Sequence, residues 1–438
     1  MSEPSSRPSF RRVVEVVRRN PHYRRLFAAN AVSQLGDWFS VVALFSLLLE
    51  LTGRGESVAL VLVCRSIPTF LTGPIAGVVA DRFSRRTIMV AADLGRAVLV
   101  LAFFFVRSPD QVWLAYLAIV LHAIVSALFD PAQQATFPNL VRTEDLVVAS
   151  ALENTLWSSM LAIGAALGGL MMLAFGRSAT FGADALTFLV SAWLLRGLPQ
   201  QLARRKTPPE VRATQPTVRG ARWLKALGLD DLKEGARYIL HHPRVRSLIV
   251  AKGCFGLTLG GVLVLLAFFG EKVFQLPGGR GISVLWTARG IGSFVGPFVA
   301  WRLGGDSPSA LRRGISLAFV SICCGYLLMS LTGSIWIAAG ILAVANAAGS
   351  VLWTYGSSLL QLIVPDELRG RVFAADMAWM TLAMSTSTLV VGGALDVGVS
   401  PRLLLAACGL MALPPLVFWW GAQRHFQERA ESLVDQAA

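Results

Sequence analysis

Twelve stretches of mostly apolar residues, each about as long as a bilayer crossing, leave this chain few ways to fold. A helix rises about 1.5 Å per residue, so roughly 20 apolar residues cross a hydrocarbon core of about 30 Å. Stretches of that kind lie near 24–51, 57–80, 88–107, 112–132, 147–173 and 178–196, and again near 245–273, 282–302, 314–332, 334–358, 372–397 and 402–420. Six, a polar break and six predict an all-α integral membrane protein, with 12 transmembrane helices in two pseudo-symmetric six-helix bundles. The expected divisions are a segment 1–23, a bundle 24–196, a linker 197–243, a bundle 244–420 and a tail 421–438. An Arg-rich segment precedes the first run and no small-residue cleavage site follows it, so a removable signal peptide is not expected.

Charge sets the orientation. The chain holds 40 Lys+Arg against 26 Asp+Glu, a formal net charge of +14. That excess fits a nucleic-acid binder or a membrane protein whose basic residues are sorted to one side. With both termini on one side, thirty of the 40 fall at that side and six at the other. Arg65, Arg96, Lys252 and Arg289 fall inside the runs. The positive-inside rule then puts both termini in the cytoplasm and leaves no call for a nucleic-acid partner. An apolar content of 54% with five Cys also excludes a disordered chain and a disulfide-stapled secreted domain. In the break, Trp223, Leu224, Leu227, Leu232, Tyr238 and Ile239 alternate with charged residues. Two readings stand there: an amphipathic helix lying on the membrane surface, or a solvated tether.

The halves repeat. Arg65-Ser66-Ile67-Pro68-Thr69-Phe70 with Gly73-Pro74 in the second run matches Arg289-Gly290-Ile291-Gly292-Ser293-Phe294 with Gly296-Pro297 in the eighth. Both copies occupy the second helix of their set of six. Six-helix halves of equal orientation form a parallel repeat, and transporters built this way hold substrate between the halves near the midplane.

An ionisable side chain at the bilayer centre costs about 2.5–3.5 kcal/mol on insertion scales, so each one needs a reason. Asn30, Gln34 and Asp37 recur at i, i+4, i+7, on one helical face; Arg65, Thr69 and Thr72 repeat that spacing. The stripes are read as lining a water-accessible cavity, Asp37 binding a proton or cationic substrate and Arg65 acting as its partner or as an anion contact. The alternative is a structural Asp–Arg pair. His122, halfway along the fourth run, suits a proton relay or a packed neutral histidine. Arg289 matches Arg65 by the repeat, but no carboxylate matches Asp37. Lys252 and Asn346 complete the candidates, serving a cavity or packing. The cysteines read as packing residues without metal spacing.

Between the second and third runs the chain reads Gly77-Val78-Val79-Ala80-Asp81-Arg82-Phe83-Ser84-Arg85-Arg86. This G-x-x-x-D-R-x-x-R-R turn resembles the signature loop of the major facilitator superfamily, with Ser84 in place of the usual Gly. Ser33-Gln34-Leu35-Gly36-Asp37, Arg65-Ser66-Ile67-Pro68, Asp93-Leu94-Gly95-Arg96, Phe129-Asp130-Pro131-Ala132, Asp184-Ala185-Leu186-Thr187-Phe188 and Pro365-Asp366-Glu367-Leu368-Arg369-Gly370-Arg371 are similar to the branch holding macrolide-efflux proteins and the enterobactin exporter. The resemblance implies a cytoplasmic gate of Gly77, Asp81, Arg82, Arg85, Arg86, Asp93, Arg96, Asp130, Glu153 and Asp376. In it Asp81 would face the amino end of helix 11, and the loop arginines would engage Asp130. A charge cluster that only enforces topology is the alternative. Exporters of the superfamily often carry G-P-x-x-G-G in helix 5; here Gly164, Gly168 and Gly169 stand with Ala165 in place of the Pro. They read as part of that signature or as small residues for helix packing.

No G-x-S-x-G, H-E-x-x-H or Walker loop occurs, so enzymatic chemistry and self-contained ATP hydrolysis have no residues to run on. The expectation is a monomeric multi-pass transporter of a bacterial cytoplasmic (inner) membrane. It would export a small amphiphilic compound, drug or macrolide-like, in exchange for protons. No cofactor or metal is expected, with the proton gradient as energy source. Siderophore or lysolipid export comes next, then proton-coupled uptake. A membrane scaffold or receptor is the rival, disfavoured because it has little use for buried charge.

Overall fold

The computed structural model describes residues 10–142, 145–199, 229–304 and 308–423. Its described helices are α1 (Phe10–Arg19), α2 (Pro21–Thr52), α3 (Gly55–Arg82), α4 (Arg85–Leu101), α5 (Val112–Thr136), α6 (Leu146–Arg196) and α7 (Leu229–His241). They continue as α8 (Pro243–Phe268), α9 (Arg280–Gly304), α10 (Pro308–Leu331), α11 (Ile335–Ile363), α12 (Asp366–Asp396), α13 (Pro401–Leu410) and α14 (Leu413–Ala422). Among the described residues, eleven helical segments are long and apolar enough to cross a membrane. Proline at the first turn opens α2, α8 and α13, where the missing N–H would have had no partner. Gly53, at φ 67°, ends α2 in the left-handed conformation that a residue with a Cβ resists.

One of the eleven segments, Thr155–Arg196, merges two of the expected runs. The contacts of α6 with α2 explain how. Rising along α2, the Tyr23 hydroxyl donates to the Ala149 carbonyl, Asn30 donates to Glu153, and Gly164 and Gly168 pack on Trp38 and Phe39. Beyond Gly176 the order reverses. Arg177 pairs with Glu50, Ser40 donates to Asp184, and Arg25 donates to the Gly197 carbonyl at 2.8 Å. The chain thus runs up α2 and back down it, turning at Gly176, whose φ 82° and ψ 175° only glycine adopts without strain.

α2 and α8, the first long helix of each half, are the most enclosed, each 78% buried across its apolar window. That shared position agrees with the repeat. The end where α2 begins is called proximal here, and its opposite distal. Trp419 and Gln423 hydrogen-bond to Arg312 and Ser316 beside the start of α10, so the described chain also finishes proximally.

Distal contacts join the halves. α6 meets α9 where Ser283 Oγ donates to the Ala165 carbonyl at 2.6 Å and where Gly169 lies on Ser283. α3 meets α12 where the Asp396 carboxylate accepts the backbone N–H groups of Gly55 and Glu56 at 2.6 and 3.1 Å. α7 packs against α12, with Gly235 on the Arg371 backbone and Ile239 buried. It is therefore docked on the second half. Trp223, Leu224 and Leu227 lie outside the described residues.

Candidate functional site

Asp37 is central to α2, and Arg65 and His122 are each the eleventh residue of α3 and of α5, which brings all three to similar depth. Arg65 Nη2 is 3.9 Å and His122 Nε2 3.6 Å from the same oxygen, Asp37 Oδ1. The other ring nitrogen of His122 is 3.4 Å from Ser126 Oγ. The two separations from Asp37 exceed direct hydrogen bonds and admit a bridging water. The Asp37 side chain keeps 16% exposure and Arg65 44%, so the group is reachable.

The expected stripe divides. Gln34 donates to Asn30 at 2.9 Å, and Asn30 and Gln133 both donate to one oxygen of Glu153, at 3.0 and 2.8 Å. Only Asp37 belongs with Arg65. Thr69 gives its hydroxyl to the Arg65 carbonyl of its own helix. Asn346, buried in α11, donates to the Leu342 carbonyl.

A row of indoles connects the repeat-related arginines across the two halves. The Arg65 guanidinium carbon is 6.0 Å from the centroid of Trp38, which meets Trp157 at 5.9 Å and Trp286 at 5.7 Å. Arg289 closes the row, 5.1 Å from the Trp286 ring and 5.9 Å from Trp157. The three tryptophans were missed from sequence because an aromatic on an apolar face reads as core. Only their approach to two arginines distinguishes them.

The residues assigned to a gate take other places. Arg85 donates to the Ala135 carbonyl at 2.6 Å instead of engaging Asp130, which makes no ion pair among the described residues. Asp93 pairs with Arg96 on the same helix inside the first half, the guanidinium lying 4.5 and 4.6 Å from the rings of Phe129 and Phe188. Glu153 is an acceptor within the first half, as above. Asp376 departs furthest: it is wholly enclosed in a pair with Lys252, between α12 and α8, with Trp353 4.6 Å from the ammonium. In this form Asp93, Glu153 and Asp376 each have a partner within their own half. Arg86 is half-buried, and the side chains of Gly77, Asp81 and Arg82 lie outside those described. Gly164 and Gly168 pack on α2 and Gly169 on α9, since a Cβ at Gly164 would stand 2.7 Å from Trp38 Cβ and one at Gly168 2.9 Å from the Phe39 Cα. Asp184, enclosed and accepting from Ser40, was missed as a functional candidate, although its cost in lipid was a signal.

Residues 17–431 match the family described as transmembrane secretion effector. The chain is 27% identical over 406 residues to the uncharacterized MFS-type transporter YfiS of Bacillus subtilis (strain 168), covering 89% of this chain and 90% of that one. It is 26% identical over 171 residues to macrolide efflux protein A of Streptococcus pyogenes, covering 38% of this chain and 42% of that one. Among solved structures, the crystal structure of the nucleoside transporter NupG aligns with TM-score 0.68 at 15% identity, over 92% of this chain and 99% of that one, a likeness of fold. The chain belongs to the transmembrane secretion effector family, among the transporters of the major facilitator superfamily.

Proposed function

We propose that this protein exports a small amphiphilic compound from a bacterial cell in exchange for protons, by alternating access of a midplane site. In this reading the eleven apolar segments make twelve crossings, Thr155–Arg196 supplying two by turning at Gly176. The proximal end is cytoplasmic, in accord with the sorting of basic residues. The halves, tied distally, then leave the site to open toward the cytoplasm.

The observation that carries the reading is the Asp37 group: one carboxylate, partly open, beside a guanidinium and an imidazole that do not grip it directly. An ionised Asp37 attracts Arg65. A proton arriving through His122 cancels that attraction and frees the guanidinium, so the charge in the cavity changes with each proton taken up or released. A carboxylate locked in short bonds would not alternate in this way. The macrolide-efflux relative supports the outward direction.

The test is a panel of amphiphilic compounds offered to inside-out vesicles under an imposed pH gradient. Gradient-dependent accumulation is expected with the wild-type chain, and none above background with Asp37→Asn, whose amide can neither ionise nor take up a proton. Gel filtration should find that variant as monodisperse as the wild type. Undiminished gradient-driven accumulation in Asp37→Asn would sink the proton role.

A further inference from the structure

Arg65 and Arg289 are equivalent by the repeat, but they keep different company. Arg65 has Asp37. Among the described residues Arg289 makes no ion pair, and its Nε has no hydrogen-bond partner although the residue is only 8% exposed. One turn away on α9, Trp286 is 3% exposed and its indole N–H is likewise unpartnered. Positions three apart share a helical face, so the two orphaned donors lie together. The rings of Trp286 and Trp157 offer the guanidinium cation–π attraction. A buried unpaired charge costs more than that attraction returns. Arg65 stands beside Asp37, whereas among the described residues no acid pairs with Arg289. An anionic group would compensate that charge.

We infer that Arg289, helped by the Trp286 indole N–H, receives an oxyanion on the transported compound, and that Trp157 and Trp38 hold its planar apolar part. The inference rests on the transport reading and names its substrate class: a hydrophobic molecule bearing one carboxylate or phosphate. A guanidinium forks onto such a group through two parallel N–H bonds, and an indole N–H can only donate. Both donors suit an oxyanion and neither suits an ammonium. Ten residues of α9 from Arg280 to Arg289 set the site about 14 Å below the distal end, near the midplane. There a headgroup held by α9 of one half and an apolar body held by α2 and α6 of the other would bridge the halves.

The test uses full-length protein in phosphatidylcholine nanodiscs, a lipid without net charge, and four probes by equilibrium dialysis: 2-naphthoate, 2-naphthyl phosphate, 2-naphthamide and 2-naphthylmethylammonium. The two anions should bind at least about tenfold more tightly than the amide and the ammonium. The ratio between the two anions tells carboxylate from phosphate. Arg289→Gln should bring the anions down to the amide while leaving the amide unchanged. Arg289→Lys should keep part of the preference, because it keeps the charge and loses the fork. If Arg289→Gln does not yield monodisperse protein, Trp286→Phe carries the test: it keeps ring and charge, and should weaken the anions severalfold without affecting the amide. Equal binding of all four probes, failure of the anions to bind, or an anion preference that survives both Arg289→Gln and Trp286→Phe overturns the site. Selective anion binding without gradient-driven movement in vesicles would uphold the site and sink the transport reading. Gradient-driven export with indifferent binding would do the reverse.

Discussion

Asp37 and Asp376 are both carboxylates within the apolar spans, and what surrounds each decides its use. Asp37 is partly open, and its cations stand off by 3.6 Å or more. Asp376 and Lys252 are 0% and 1% exposed and in direct contact, so no solvent reaches them to exchange a proton. Such a pair holds α8 to α12 and has little left to do in a transport cycle. Removing one member leaves a buried charge with no counterion, at about 3–5 kcal/mol, whereas replacing both with apolar residues of similar volume is near neutral or stabilising. Lys252→Met should therefore lower stability in detergent by about 3–5 kcal/mol, with Lys252→Met/Asp376→Leu recovering most of it in the same thermal-unfolding series. A double variant as weak as the single one would mean that the charges themselves are needed. The sequence assigned Asp37 to a cavity and Asp376 to a cytoplasmic gate, without the pairing of Asp376 to Lys252. Lys252 and Asp376 are 124 residues apart and meet only because α8 and α12 pack, which no local spacing reveals.

At the scale of elements, the glycines and the helix ends carry the design. Gly176 makes two antiparallel limbs of one long apolar stretch; Gly176 and polar Arg177 stand between the two runs that the sequence separated near 147–173 and 178–196. The turn itself needed glycine, and the residue was there to be read. The distal tie was legible only in mirror image. The loop after α3 suggested an acid at the end of one helix facing the amino end of its antiparallel neighbour. Asp396 at the end of α12 does this for the first two N–H groups of α3. An acid there also meets the positive end of the helix dipole. Losing such a cap costs about 0.5–2 kcal/mol, enough to lower the ratio of distally closed to distally open molecules by about 2- to 30-fold. Spin labels placed at Arg54 and Val397, in a background without the native cysteines, would read that ratio as a distance distribution. Asp396→Ala should add a population at longer distance. A distribution identical to that of the parent would show that other contacts alone hold the distal end.

For the whole molecule, an all-helical membrane architecture was readable because membrane insertion constrains length and charge more tightly than soluble folding does. What could not be read is how acids pair across helices, since depth along a helix is known from sequence only to a few residues while a hydrogen bond demands a fraction of an ångström. Orientation links the two levels. If the proximal end is cytoplasmic, the distally tied form opens the Asp37 group inward, and export starts by loading from the cytoplasm; if it is periplasmic, the same form faces outward and the direction of the proposal inverts. Gly333, in the distal turn before α11, and Gly370, near the proximal start of α12, each have open space where a Cβ would stand, so a cysteine fits at either without disturbing packing. In the same cysteine-free background, Gly333→Cys should react with a membrane-impermeant maleimide on intact cells from which the outer barrier has been stripped. Gly370→Cys should react only after the inner membrane is opened. The opposite pattern would turn the molecule over, and with it the assignment of thirty basic residues to the cytoplasmic side, because the positive-inside rule leaves no intermediate arrangement for a chain whose described ends are both proximal.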